Sequence, residues 1–216
     1  MISNSTSNRP KKIKRYSVVA VYGSPRRGGN TDILLDRFLE GLNDCSIFKD
    51  NIRELLIDKI IVSEIDISPC RECRHCSIGG ECVVDDQMQN IYPKMVNCDL
   101  LLIASPVFFT SVSGYLKAFI DRFQRFWALK YELGKNLINM SDKKGILFSC
   151  AGSRPGNIFD CTKKVMRALF DVLYIEYYTD FLYNNIDMKG DILKKHNYLE
   201  KVYKCARKGD FIIEKE

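Results

Sequence analysis

Short apolar runs recur along the chain, separated by amphipathic or polar stretches. Tyr16-Ser17-Val18-Val19-Ala20-Val21-Tyr22 is β-branched and nearly unbroken in its apolar character. Such a run reads as a strand buried on both faces. It stops at residues 23–30, a segment rich in Gly, Ser, Pro and Asn that reads as a loop. A helix is predicted from about Thr31, with Ile33, Leu34, Phe38 and Leu42 on one face. Residues 52–57 read as a second strand region, and another apolar stretch follows over 60–67. Asp85 or Asp86 is the expected N-cap of a helix reaching about Asn97, with Pro93 as a point of kinking. Residues 99–105 are another buried strand, ended by Pro106. A helix over 113–126, a strand over 143–150, a helix over 157–169, a β-like run over 174–179 and a polar closing helix over 189–208 complete the pattern.

Buried strands that alternate with helices imply right-handed βαβ units on a parallel sheet. About five strands with helices on both faces is the flavodoxin-like, doubly wound α/β arrangement. Residues 16–216 show no repeat and no dividing linker, so one domain is expected there. Residues 1–15 are polar and basic and are expected to form a disordered tail.

Composition changes this picture little. The hydrophobic fraction of 46% permits a sizeable core. The net charge of +6 includes Arg9, Lys11, Lys12, Lys14 and Arg15 in the tail, which reads as solvated rather than as a nucleic-acid or membrane arm. No apolar run is long enough to span a bilayer, and no signal-peptide core is expected at the start. The expected location is the cytoplasm, where thiols stay reduced. Nine cysteines, an odd number, suit a disulfide scaffold poorly.

Two segments carry candidate chemistry. The loop at 23–30 follows a strand and opens a helix, where backbone N–H groups favour an anion. Ser24, Asn30 and Thr31 add polar donors, Arg26 and Arg27 add charge, and Gly28 and Gly29 allow close approach. The pattern matches neither a dinucleotide fingerprint nor a P-loop; a phosphate monoester such as that of FMN suits it. The second segment is Cys70, Cys73, Cys76 and Cys82, spaced C-x2-C-x2-C-x5-C. Nine cysteines in 216 residues place only about half of one in so short a stretch by chance. Four soft thiolates on one loop suit an iron–sulfur cluster; a structural zinc or metal-free thiols are the alternatives. Arg71, Arg74 and His75 would offset the negative charge, and Gly79 and Gly80 would allow the return to Cys82. Cys98 and Cys150 read as small buried hydrophobes.

Residues 23–31, Gly-Ser-Pro-Arg-Arg-Gly-Gly-Asn-Thr, resemble the flavin-phosphate loop of NADPH-dependent FMN reductase-like proteins. Ala104-Ser105-Pro106-Val107-Phe108-Phe109, with Gly114, Leu116-Lys117 and Phe119-Ile120-Asp121-Arg122, resembles that family's second signature. The cysteine loop between them is similar to that of the iron–sulfur flavoproteins. The resemblance implies FMN held by Ser24, Arg26, Asn30 and Thr31 at the phosphate. It implies Pro106, Val107, Phe108 and Phe109 at the ring, flanked by Ala151 and Gly152, and a 4Fe–4S cluster on Cys70, Cys73, Cys76 and Cys82. Phe108 stands where the family often has Tyr, so a hydroxyl is lost.

The implied function is an FMN-dependent oxidoreductase that couples a two-electron donor to a one-electron cluster, with no side chain as obligatory acid or base. NAD(P)H or reduced ferredoxin is the expected donor; oxygen, peroxide, a quinone or another protein is the acceptor. An FMN or quinone reductase without a cluster, and a non-enzymatic flavodoxin-like carrier or redox sensor, remain as alternatives. A homo-oligomer, dimer or tetramer, is expected, with residues 127–142 as a candidate interface.

Overall fold

In a computed structural model of the chain, residues 14–50, 52–136 and 142–212 are described. Five strands, β1 (Lys14–Tyr22), β2 (Arg53–Ile61), β3 (Leu100–Pro106), β4 (Lys143–Cys150) and β5 (Ile175–Tyr183), form one parallel sheet in the order β2-β1-β3-β4-β5. The helices are α1 (Asn30–Asn43), α2 (Ser46–Lys49), α3 (Cys76–Gly79), α4 (Met88–Asn97), α5 (Gly114–Asp121), α6 (Gln124–Trp127), α7 (Asp160–Val172) and α8 (His196–Lys208).

The central strands are apolar throughout because each supplies two cores by simple alternation. Val18, Ala20 and Tyr22 of β1, with Leu102 of β3 and Phe148 of β4, pack under α1 and α8. Val19, Val21, Leu101, Ile103 and Leu147 pack under α4, α5 and α7 on the other face. The strand order reverses between β1 and β3, and ligands of open α/β sheets sit at the carboxyl ends of strands at such a point.

Several elements differ from the sequence reading. Lys14 and Arg15 belong to β1 rather than to a tail, and Arg15 Nε lies 2.9 Å from Glu54 on the neighbouring edge strand. The rest of the expected tail, residues 1–13, lies outside the described residues. The two stretches at 52–57 and 60–67 yield one strand that ends at Ile61. α4 runs through Pro93 unbroken, because burial of Met88, Ile91, Tyr92 and Met95 outweighs one lost hydrogen bond. The helix expected over 113–126 is divided at Arg122, whose side chain turns inward. The closing helix starts at His196, not 189; Gly190, at φ +86°, and a 3-10 turn precede it.

Candidate functional site

Loops from the carboxyl ends of β1, β3 and β4 meet in one cleft. Ser24, Arg26, Asn30 and Thr31 line it from the first, Pro106, Val107 and Phe108 from the second, and Gly152 from the third. Ile186, Asp187 and Lys189 make a fourth wall that sequence reading missed, and Cys150 also lines the cleft. Ala151 is buried behind it, beside Val107, Ile158 and Phe159. Phe109 stands fully in solvent and does not line it. The reason is a two-residue turn: Phe108 and Ser111 exchange backbone hydrogen bonds of 2.9 and 3.0 Å. Between them Phe109 and Thr110 both adopt positive φ, +46° and +63°, the pattern of a type I′ turn. Neither is glycine, so the turn is strained and carries none of the usual turn residues in sequence.

Buried serines hold these loops in register. Ser149 Oγ donates to the Ser105 carbonyl at 2.7 Å. Ser105 Oγ accepts the Ser113 N–H at 3.2 Å. Ser113 Oγ donates to the Gly23 carbonyl and accepts from Leu116 N–H, so it also caps α5. The ends of β4, β3 and β1 are thereby tied together. Gly23 is required here: a Cβ would stand 2.6 Å from the Ala104 carbonyl oxygen.

The start of α1 is open. Its N-cap is Gly29, which has no side chain to satisfy the first-turn N–H groups. Gly28, at φ +61°, turns the chain into the helix. Ser24 spends its hydroxyl locally, accepting Arg26 N–H at 3.1 Å. Asn30 spends its amide on residues 188–192. That leaves Thr31, Arg26 and the backbone facing the cleft. Burial pushes the Asp32 carboxyl up, opposed by the Arg27 guanidinium at 2.7 Å and Gly28 N–H at 3.0 Å. Arg27 thus offsets the carboxylate at the start of α1, while Asp187 and Lys189 bring charges of both signs to the opposite wall. Burial pushes the Cys150 thiol up to about 12, so it is protonated at neutral pH.

The cysteine loop forms a second pocket, lined by Cys70, Cys73, Cys76 and Cys82 together with Arg122. Glu72 and Arg74, at φ +52° and +59°, turn the chain on both sides of Cys73, and Gly80, at +78°, returns it. Arg122 closes the base. Its guanidinium pairs with Asp86, donates to the Ser68 carbonyl at 2.8 Å and reaches Cys82 Sγ at 3.5 Å. Asp86 accepts Ser68 N–H and Met88 N–H, each at 3.0 Å; the N-cap of α4 is Gln87, one residue later than expected, and its own side chain caps nothing. Burial works to raise the Asp86 carboxyl, but Arg122 and these N–H groups outweigh it and hold it below the usual range. Lys117 and Asp121 form the intrahelical ion pair their spacing suggests, at 2.7 Å.

Among the described residues, no three His, Cys, Asp or Glu side chains converge as a ligand set. The four thiols nevertheless share one pocket. Burial, and then the charges of Cys70, Cys82 and Cys73, push Cys76 up. Four cysteine sulfurs lining one pocket, with Arg122 beside one of them, are a donor set whose chemistry would suit a polynuclear cationic centre.

The sequence model for NADPH-dependent FMN reductase matches residues 16–174. A Methanosarcina thermophila protein named iron-sulfur flavoprotein is 28% identical over 158 residues, 73% of each chain. One of the same name from Archaeoglobus fulgidus is 35% identical over 104 residues, 48% of this chain and 44% of that one. In fold, an azoreductase of Bacillus anthracis superposes with a TM-score of 0.66 at 14% identity, covering 89% of this chain and 99% of that one. With its flavodoxin-like sheet and its three-loop cleft at the switch point, the chain belongs to the NADPH-dependent FMN reductase family of flavin-dependent oxidoreductases.

Proposed function

We propose that the chain binds FMN in the cleft and a 4Fe–4S cluster in the cysteine pocket, and passes electrons between a two-electron donor and a one-electron partner. Arg26, Thr31 and the open first turn of α1 would hold the flavin phosphate. Pro106, Val107, Phe108 and Gly152 would flank the ring. FMN when bound exchanges electron pairs and a cluster exchanges single electrons, so the protein's part is to bind, orient and shield. No side chain then acts as an obligatory acid or base; the protonated Cys150 thiol in the cleft suits that reading.

The observation that carries the proposal is the shared pocket of four cysteines, closed at its base by a buried arginine and lined by none of the residues of the flavin cleft. The names of the relatives support it. NAD(P)H is the donor that suits the family, and ferredoxin is the other candidate. Residues 16–216 would act as one domain in the cytoplasm, apart from membranes and nucleic acid. The described part of the chain has no helix long and apolar enough to cross a membrane. A homo-oligomer suits the exposure of Trp127 and Tyr131, although residues 137–141 of the candidate interface lie outside the described residues.

One observation favours a second reading, an NAD(P)H-dependent FMN or quinone reductase without a cluster: no three ligands converge among the described residues. The visible spectrum of anaerobically purified protein separates the two. A broad shoulder beneath the flavin bands supports the cluster; flavin bands alone support the second reading. If no donor sustains turnover with any acceptor, a carrier role replaces both.

A further inference from the structure

A flavin phosphate carries a charge between about −1.5 and −2 at neutral pH. The first loop offers it only one uncommitted cation, Arg26, because Arg27 is engaged by Asp32 at 2.7 Å and Glu64 at 3.2 Å. A second cation comes from the far side of the cleft. Lys189, in the segment after β5, has its Cε and Nζ 3.8 Å from where a Cβ on Gly28 would stand. Its ammonium therefore lies over the turn that opens α1. Its charge is felt by the buried Asp32. Among the described residues, Lys189 has no ion-pair partner.

Asn30 accounts for that placement. Its carboxamide oxygen accepts Gly190 N–H at 3.0 Å and Ile192 N–H at 3.2 Å, and its amide donates to the Met188 carbonyl at 2.9 Å. All three partners flank Lys189, and Gly190, at φ +86°, supplies the turn between them. The side chain that the loop motif would aim at the ligand is used to hold the opposite loop. Backbone N–H groups of the same first turn remain open toward the cleft.

We propose that Lys189 is the second cation of the flavin phosphate site, facing Arg26, and that Asn30 is the positioning residue that keeps it there. The inference rests on the flavin reading above. FMN and riboflavin share the ring and differ in the phosphate, so binding of both to the flavin-stripped chain, followed by fluorescence quenching, isolates this contact. Lys189→Gln weakens FMN about ten- to a hundredfold and leaves riboflavin within about twofold. Lys189→Arg recovers most of the loss, and high salt narrows the gap. Asn30→Ala weakens FMN similarly alone, yet adds less than about threefold in the Lys189→Gln background, because it acts through Lys189. FMN binding unchanged in Lys189→Gln, or FMN and riboflavin weakened equally, overturns the inference and leaves the flavin reading standing. A native chain that binds neither flavin overturns both.

Discussion

The guanidinium of Arg122 and the carboxylate of Asp86 pair across 36 residues of sequence, with the Arg122 side chain only 1% exposed. The pair joins the end of α5 to the turn that precedes α4, and Arg122 lines the cysteine pocket. Removing one partner leaves a buried charge unmatched, which costs about 3–5 kcal/mol. Arg122→Met and Asp86→Asn are each expected to lower the Tm by about 10 °C. The double variant is expected to recover part of that loss, because no buried charge is then left alone. Thermal unfolding of the three variants checks this.

The same pair sets an acid limit. The folded Asp86 carboxyl lies below its ordinary value, so it contributes stability above the unfolded pKa of about 3.9 that is lost as pH falls through the lower folded value. The stability gap between the native chain and Asp86→Asn is therefore full at pH 7 and shrinks below about pH 4. Urea midpoints across that range measure it.

The serine ties predict coupled losses of stability and flavin affinity. Ser105→Ala leaves the buried Ser113 N–H without its acceptor, which costs about 1–3 kcal/mol. Ser113→Ala removes the α5 cap and the tie to Gly23, a loss of about 1–2 kcal/mol. Both variants are expected to bind FMN more weakly than the native chain, although neither side chain lines the cleft. Chemical denaturation and flavin titration of the same samples test the link.

Phe108 and Phe109 are neighbours with different expected roles. Phe108 lines the cleft; Phe109 does not. Phe108→Ala removes apolar wall and is expected to weaken FMN about fivefold or more, worth about 1 kcal/mol. Phe109→Ala is expected to leave FMN affinity within about twofold. Equal effects in the two variants would contradict the geometry of the turn.

Much of the fold was legible because its signals are local. The unbroken apolar run of β1 and the run of β3 follow directly from burial on two faces, and the loop after β1 announces itself by glycine and serine. The fourth wall of the cleft was not legible. Ile186, Asp187 and Lys189 reach it only because β5 lies at one edge of the sheet and Asn30 draws the following segment back across. Phe109 was misleading because its turn uses left-handed Phe and Thr where glycine or asparagine would have marked it. Arg122 stands in sequence beside Asp121, and nothing local marks its depth; only the packing of α5 shows that it is buried beside the cysteine loop. The cysteines were found by spacing alone, a signal that needs no tertiary structure.

The central claim is that the four clustered thiols hold an iron–sulfur centre in a chain that also binds FMN. Iron, acid-labile sulfide and flavin counted per chain in anaerobically purified protein test it most directly. About four irons and four sulfides alongside one FMN, with iron and sulfide lost and flavin retained when Cys70, Cys73, Cys76 and Cys82 are all changed to Ser, is the predicted result. One zinc per chain, or bound flavin with no iron under strict exclusion of oxygen, would contradict it.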